Sequence, residues 1–296
     1  MATDRGGKWD QGSAVRRAMA GVSIAVVTAI IAIASPPLFA QGPAVGVPGY
    51  NGTAFLDANG NVIARKAIPR TADGKPDFTG VWAGPGFSHR VGRNDLDVPT
   101  VSQFNPARMA PFAPGGAAFL TRPLTGDELK DDPTALCLPN GMPRQVLSPY
   151  PQQWVQAPGQ LIILYEYMHF SRVIPTDGRP HRQNLEPTWM GDSVARWEDD
   201  TLVIDTVALK EWVLDAFHQD GSRWHSDKLH LTERIRYTDP MTASYQLTID
   251  DPVVFTAPWT QDFAMKLHPT WNILEYVCEE NDRCAGGQCK ASDVQR

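Results

Sequence analysis

Glu233 stands where a strand should be apolar. In Lys228-Leu-His-Leu-Thr-Glu-Arg-Ile-Arg-Tyr237, strand alternation puts Leu229, Leu231, Glu233, Ile235 and Tyr237 on one face and His230, Thr232, Arg234 and Arg236 on the other. A carboxylate among apolar neighbours is either paired or pushed up in pKa. An upward-shifted carboxyl suits general acid or base catalysis. Pairing with an interior arginine such as Arg172 or Arg196 would instead make it a structural ion pair.

A second stretch, Leu161 to Ile174, carries the partners. The period of two places Tyr165, Tyr167 and His169 on one face and Glu166, Met168, Phe170 and Arg172 on the other. If both stretches face one lumen, Glu233 or His169 takes a proton, Arg172 steadies developing negative charge and a hydroxyl such as that of Tyr167 donates. His225 completes the expected catalytic set, while Tyr165, Trp189, Trp197, Trp212 and His230 are expected to line the ligand. Nine Trp and seven Tyr in one β-rich chain favour a small apolar or aromatic partner.

Metal and cofactor chemistry find little support in the spacing. His225 and Glu233 share parity on one strand but His230 points the other way, and a site from His169, His225 and Glu233 would need three neighbouring strands to converge. No metal and no cofactor are therefore expected. The chain has no Gly-x-Ser-x-Gly elbow, phosphate loop, Gly-x-Gly-x-x-Gly or His-Glu-x-x-His, which removes serine hydrolase, nucleotide and zincin chemistry. Asp177 and Asp205 sit beside turns or strand ends and read as turn or cap residues.

The elements that must position these groups are strands. Gln153 to Ala157 and Leu161 to Tyr167 flank Pro158-Gly159, and the apolar run 161–164 reads as buried on both faces. Ser193 to Glu198 and Thr201 to Val207 flank Asp199-Asp200 as a tight hairpin. Strands are also expected over Phe78 to Ala83, Lys228 to Thr238, Ser244 to Asp250, Trp259 to Leu267 and Asn272 to Val277, nine to eleven in all. With little helix and no βαβ alternation, the fold class is all-β, an antiparallel calycin or lipocalin-like barrel or a sandwich. Long irregular segments precede it. Residues 41–69 read as an extended lead-in and 84–132 as a packed cover with one short helix over Thr125 to Lys130. One domain, 70–290, is expected.

Arg5, Lys8, Arg16 and Arg17 precede an apolar run from Ala18 to Ala34 and Ser-Pro-Pro-Leu-Phe-Ala40. This reads as a secretory signal over 1–40, and Arg16-Arg17 is compatible with the twin-arginine type. A periplasmic or secreted protein follows, without stable membrane insertion after cleavage; a homo-oligomer is compatible with the sequence. Without residues 1–40 the chain keeps 23 basic and 31 acidic residues, a charge of −8, which argues against nucleic acid as partner. Four cysteines suit an oxidising compartment: Cys137 with Cys278 and Cys284 with Cys289 is the expected pairing, and a zinc site lacks the tight Cys-x2-4-Cys pair.

Several motifs occur as a set: Pro69-Arg-Thr-Ala-Asp-Gly-Lys-Pro-Asp-Phe-Thr-Gly-Val-Trp82, Cys137-Leu-Pro, Tyr165-Glu-Tyr with His169 and Arg172, Asp177-Gly-Arg-Pro-His181, Trp189-Met-Gly-Asp-Ser193, Trp197-Glu-x-Asp-Thr-Leu-Val-Ile-Asp205, His225-Ser-Asp with Leu229-His-x-x-Glu-Arg234, and Tyr276-Val-Cys278. In these the chain resembles a group of exported bacterial proteins without an assigned activity, over nearly all of the mature sequence. It departs at Asp199, where the group usually has Gly, and at Met168, where Asn is commoner. The resemblance implies an exported calycin-like barrel and supplies no reaction. The residues themselves lead to an exported enzyme using metal-free acid/base chemistry of lyase, isomerase or ether/ester hydrolase type. The rival is a small-molecule carrier without turnover.

Overall fold

A computed structural model describes residues 67–83, 104–148, 150–215, 221–269 and 271–278, all within one compact unit, Gly46–Arg296. The expected signal, nearly all of the lead-in, and Cys284 and Cys289 lie outside the described residues. In chain order the strands are β1 (Gly80–Ala83), β2 (Thr121–Arg122), β3 (Pro151–Ala157), β4 (Gln160–Tyr165), β5 (Ser171–Pro175), β6 (Asp192–Glu198), β7 (Thr201–Val207), β8 (Trp212–Val213), β9 (Ser222–His225), β10 (His230–Asp239), β11 (Thr242–Asp250) and β12 (Trp259–Leu267). Nine form a single antiparallel sheet in the order β5-β4-β3-β1-β12-β11-β10-β7-β6, and β2-β9-β8 form a small second sheet. Among the described residues helix is confined to short pieces, the longest being α1 (Gly116–Leu120). Among the described residues none is long and apolar enough to cross a membrane.

The large sheet curls until its two end strands, β5 and β6, lie against each other, so the fold is an all-β, nearly closed calycin-like barrel. Alternation decides which side chains fill it. On β10, Leu231, Glu233, Ile235 and Tyr237 are buried between less buried neighbours, and on β11 Ala243, Tyr245, Leu247 and Ile249 follow the same rhythm. The registers Glu233↔Leu247 and Glu233↔Ile204 put the carboxylate in that inner layer. On β4 the rhythm also holds, with Leu161, Ile163 and Tyr165 buried and Ile162 and Leu164 half-buried. The expectation of burial on both faces is corrected: one face of this antiparallel strand keeps partial contact with solvent.

One end of the barrel is packed solid with rings. Phe78 stacks on Tyr237 at 4.8 Å and lies 6.0 Å from Trp154, and Trp82 lies 6.1 Å from Trp154. Trp82 donates its indole N–H to the Phe78 carbonyl at 2.8 Å, which satisfies the polar atom that burial would otherwise penalise. All four rings are nearly or fully buried. Truncating such a ring to Ala costs about 3–5 kcal/mol.

Of the segment read as a packed cover, 84–132, residues 104–132 are described, and they touch β12 and the loop before it. Phe104 meets Trp259 edge-on at 5.2 Å and Phe112 stacks on Phe255 at 5.7 Å. Its expected helix is shorter than predicted, Glu128–Asp131, because Asp131 takes the Thr125 and Gly126 amides into its own carboxylate. A second correction concerns the C-terminal side. Residues 271–278 carry no strand; they form a strap in which Leu274 N–H donates to Glu166 and Tyr276 N–H to His169, before Cys278 bonds Cys137 as expected.

Candidate functional site

Inside the barrel the odd carboxylate has found its arginine. Glu233 Oε1 accepts from Arg172 Nη1 at 3.0 Å and from the Tyr245 hydroxyl at 2.5 Å, and Oε2 accepts from Arg172 Nη2 at 2.6 Å. The Arg172 and Glu233 side chains are 2% and 0% exposed. Burial alone would lower the Arg172 pKa, but the Glu233 charge outweighs it and holds the guanidinium firmly ionised. Burial pushes the Tyr165 hydroxyl up to about 12, and burial followed by the Glu233 charge raises Tyr245 further. The ion pair, one of the two outcomes open to a carboxylate on an apolar face, is the one realised. Each Glu233 oxygen already accepts a charged donor, and water is excluded from both.

The remaining expected partners are scattered. Tyr165 joins the interior, but β4 ends there. Residues 167–169 make a 3-10 turn in which Met168 and His169 take φ of 62° and 52°, so the expectation of Tyr165, Tyr167 and His169 on one strand face is corrected. Tyr167 stacks on Tyr150 at 4.7 Å and meets Tyr276 at 4.8 Å, and burial raises its pKa. The exposed His169 accepts the Tyr276 amide at 2.9 Å through Nε2. His225 lies on β9 of the small sheet, opposite Trp212, with Nδ1 2.9 Å from the Ser226 carbonyl and a pKa lowered by burial.

The expected ligand set divides in the same way. Trp197 stacks on Phe78 at 6.1 Å. Trp189 meets Trp212 edge-on at 5.8 Å, and the Trp212 indole N–H donates to the Pro139 carbonyl at 2.7 Å. His230 projects from the outer face of β10. These residues do not surround one lumen, because inward and outward parity, strand length and the second sheet separate them.

What the fold does bring together lies at the seam. No ladder joins β5 to β6; Arg172 crosses from β5 to donate to Ser193 Oγ on β6 at 2.9 Å, and reaches Thr206 Oγ1 at 3.1 Å. A cleft of about 360 Å³ opens along this seam, within the volume range of small-molecule sites. Arg172 and Ser193 face inward and show through the seam, while outward-facing Val173, Asp192 and Val194 rise beside them with Met190.

Behind the Asp192 wall runs a hydrogen-bonded chain. His181 Nδ1 lies 2.9 Å from Asp192 Oδ2 and its Nε2 2.7 Å from Asp205 Oδ1; His230 Nε2 lies 2.8 Å from Asp205 Oδ2. Arg182 adds a 2.7 Å bond to Asp192 Oδ1. Burial pushes Asp192 and Asp205 upward, but bonds from His181 and Arg182 to the first, and from His230 and His181 to the second, outweigh it and lower both. The bond to Asp205 raises His230.

Gly191 sets this geometry. Its φ is +67°, and a Cβ there would meet the Val207 carbonyl oxygen at 2.6 Å and the Leu209 side chain at 2.9 Å, so only glycine fits the turn that delivers Asp192.

Asp205 is no simple cap, contrary to the reading from its place beside a turn. The signal in the sequence was parity: the register Asp205↔Thr232 puts Asp205 and His230 on the same outer face of adjacent strands. No periodicity marks His181, which comes from a loop. Among the described residues, no three His, Cys, Asp or Glu side chains converge so as to hold a metal ion. Comparison with protein-family models, curated proteins and solved structures finds no match.

Proposed function

We propose that the chain is an exported enzyme acting by metal-free acid/base chemistry on a small molecule held in the seam cleft. Asp192 meets the substrate, and His181, Asp205 and His230 handle the proton behind it. The observation that carries this reading is His181 between two carboxylates. Both ring nitrogens face carboxylate oxygens, so a proton can be passed along the line from Asp192 through His181 to Asp205. Such a proton beside a cleft is what a general acid delivers and a general base recovers, and it suits elimination, isomerisation or hydrolysis of an ether or ester. His230, 40% exposed, gives the chain an outlet to solvent. Val173, Val194 and Met190 suit an apolar or aromatic body. Export rests on the signal-like N-terminus together with the Cys137–Cys278 bond.

A carrier without turnover is the second reading. It is favoured by the saturation of Asp192, whose two oxygens already accept from Arg182 and His181. One experiment separates the two. The molecule that co-purifies with a His181→Ala variant from the periplasm is extracted, identified by native mass spectrometry and returned to the wild-type protein. Conversion to a product of different mass or retention supports the enzyme; recovery unchanged supports the carrier. If neither form carries a molecule, both readings fail.

A further inference from the structure

We infer that the seam cleft selects a small molecule with a flat apolar body and one anionic group, a carboxylate of the arene type. This rests on the reading of the cleft as the ligand site and adds the charge of the occupant. The polar atoms that line the cleft are not balanced between donors and acceptors. Its carboxylate, Asp192, is engaged on both oxygens: Oδ1 accepts from Arg182 Nε at 2.7 Å, and Oδ2 contacts His181 Nδ1 at 2.9 Å and the Arg182 amide at 3.4 Å. Arg179, also in the lining, uses Nε and Nη2 on Asp177, at 2.9 and 2.6 Å, which leaves Nη1 without a partner among the described residues. Arg182 spends only Nε on its side-chain bond and keeps both terminal nitrogens. The valence open to a ligand is therefore mostly donor valence, forked and cationic, which matches the two oxygens of a carboxylate.

The surrounding charges permit this. Arg172 is paired with Glu233, Arg179 with Asp177 and Arg182 with Asp192, so an anion in the cleft meets no carboxylate of the lining that lacks a guanidinium partner. The apolar side is supplied by Val173, Val194, Met190 and Pro180. Val173 is 59% exposed, large for a β-branched side chain facing solvent beside a cleft. An apolar wall next to unspent guanidinium donors fits one molecule carrying both kinds of surface.

The test uses benzoate and its neutral counterpart benzamide as probes of the full-length mature protein, read by methyl chemical shifts of Val173, Val194 and Met190. Benzoate is expected to shift these methyls in a saturable way and to bind at least about ten-fold more tightly than benzamide, the factor that one charge-assisted bond of about 1.4 kcal/mol supplies. The Arg179→Gln/Arg182→Gln double variant is expected to erase that preference while keeping the fold, because both side chains are more than half exposed. Equal binding of benzamide and benzoate overturns the anionic class, and a preference that survives the double variant overturns its assignment to Arg179 and Arg182; either result leaves the cleft as a binding site. Failure of both probes to move the cleft methyls overturns the cleft reading itself.

Discussion

Replacing Glu233 by Gln keeps the shape of the side chain and removes its charge, which isolates what the carboxylate does for its neighbours. Arg172 would then sit 2% exposed, with hydroxyls of Ser193 and Thr206 as partners but no counter-charge. Breaking one side of a buried pair typically costs about 3–5 kcal/mol, because the surviving ion stays desolvated and uncompensated. Out of a total of roughly 5–15 kcal/mol this is a large share. In urea, with a slope of roughly 2–3 kcal/mol per M, the midpoint should fall by about 1–2 M. The companion variant is Arg172→Met/Glu233→Leu/Tyr245→Phe, which removes both charges and the hydroxyl that would otherwise be left unsatisfied. Its stability should return to within about 2 kcal/mol of wild type, because apolar replacement of a whole buried cluster is often close to neutral. Equilibrium denaturation followed by tryptophan fluorescence measures both. A Glu233→Gln loss under about 1 kcal/mol, or a triple variant less stable than the single one, would refute the account of this pair as charge compensation in a dry core.

The outer chain should shape the pH profile. Asp192 and Asp205 are lowered in the fold, so their contribution is present above their unfolded pKa near 3.8 and lost as pH falls through the lower folded values. His230 is raised above 6.5, so its contribution is full below that value and lost as pH rises through the higher folded one. A thermal-melt series should fall on both sides of that window, and His230→Asn should flatten the alkaline side and, by removing a bond that lowers Asp205, soften the acid side as well. Met168→Asn and Asp199→Gly place residues tolerant of the left-handed region at φ of 62° and 51° and should each raise stability by about 0.5–1 kcal/mol in calorimetry; a loss at either would show that its side chain does more than tolerate strain. Reduction of Cys137–Cys278, which spans 141 residues of sequence, should cost about 2–5 kcal/mol and expose 271–278 to proteolysis.

Much of the barrel was legible because period-two alternation and turn dipeptides carry strong local information. Trp259–Leu267 was placed to the residue, and the β6–β7 hairpin around Asp199-Asp200 to within one. Glu233 was recognised as an interior carboxylate from its neighbours alone, and Arg172 was named as one of two candidate partners. Tyr167 and His169 were misplaced because period-two reasoning assumes that the strand continues, and it stops at Tyr165, where the chain turns to bring Ser171 back against Leu164. The strand expected over 272–277 failed for a different reason: a β-rich composition there serves side-chain packing and a disulfide, without a neighbouring edge to pair with. The His181 chain escaped because it joins a loop to two strands, and contacts between segments distant in sequence leave no mark in a local window.

A cylinder whose last joint is held by a guanidinium and by one backbone bond, from Gly178 just past β5 to Ala195 on β6, behaves mechanically like a sleeve with two buttons. The eight ladders elsewhere must move together, but β5 and β6 can part by loosening Arg172's grip on Ser193 and Thr206 and the one Gly178–Ala195 backbone bond. Breathing of the wall should therefore concentrate along this line, where amide protons exchange sooner than on β10 or β11, and a guest that slips in beside Arg172 would stiffen the very place where the tube is most compliant.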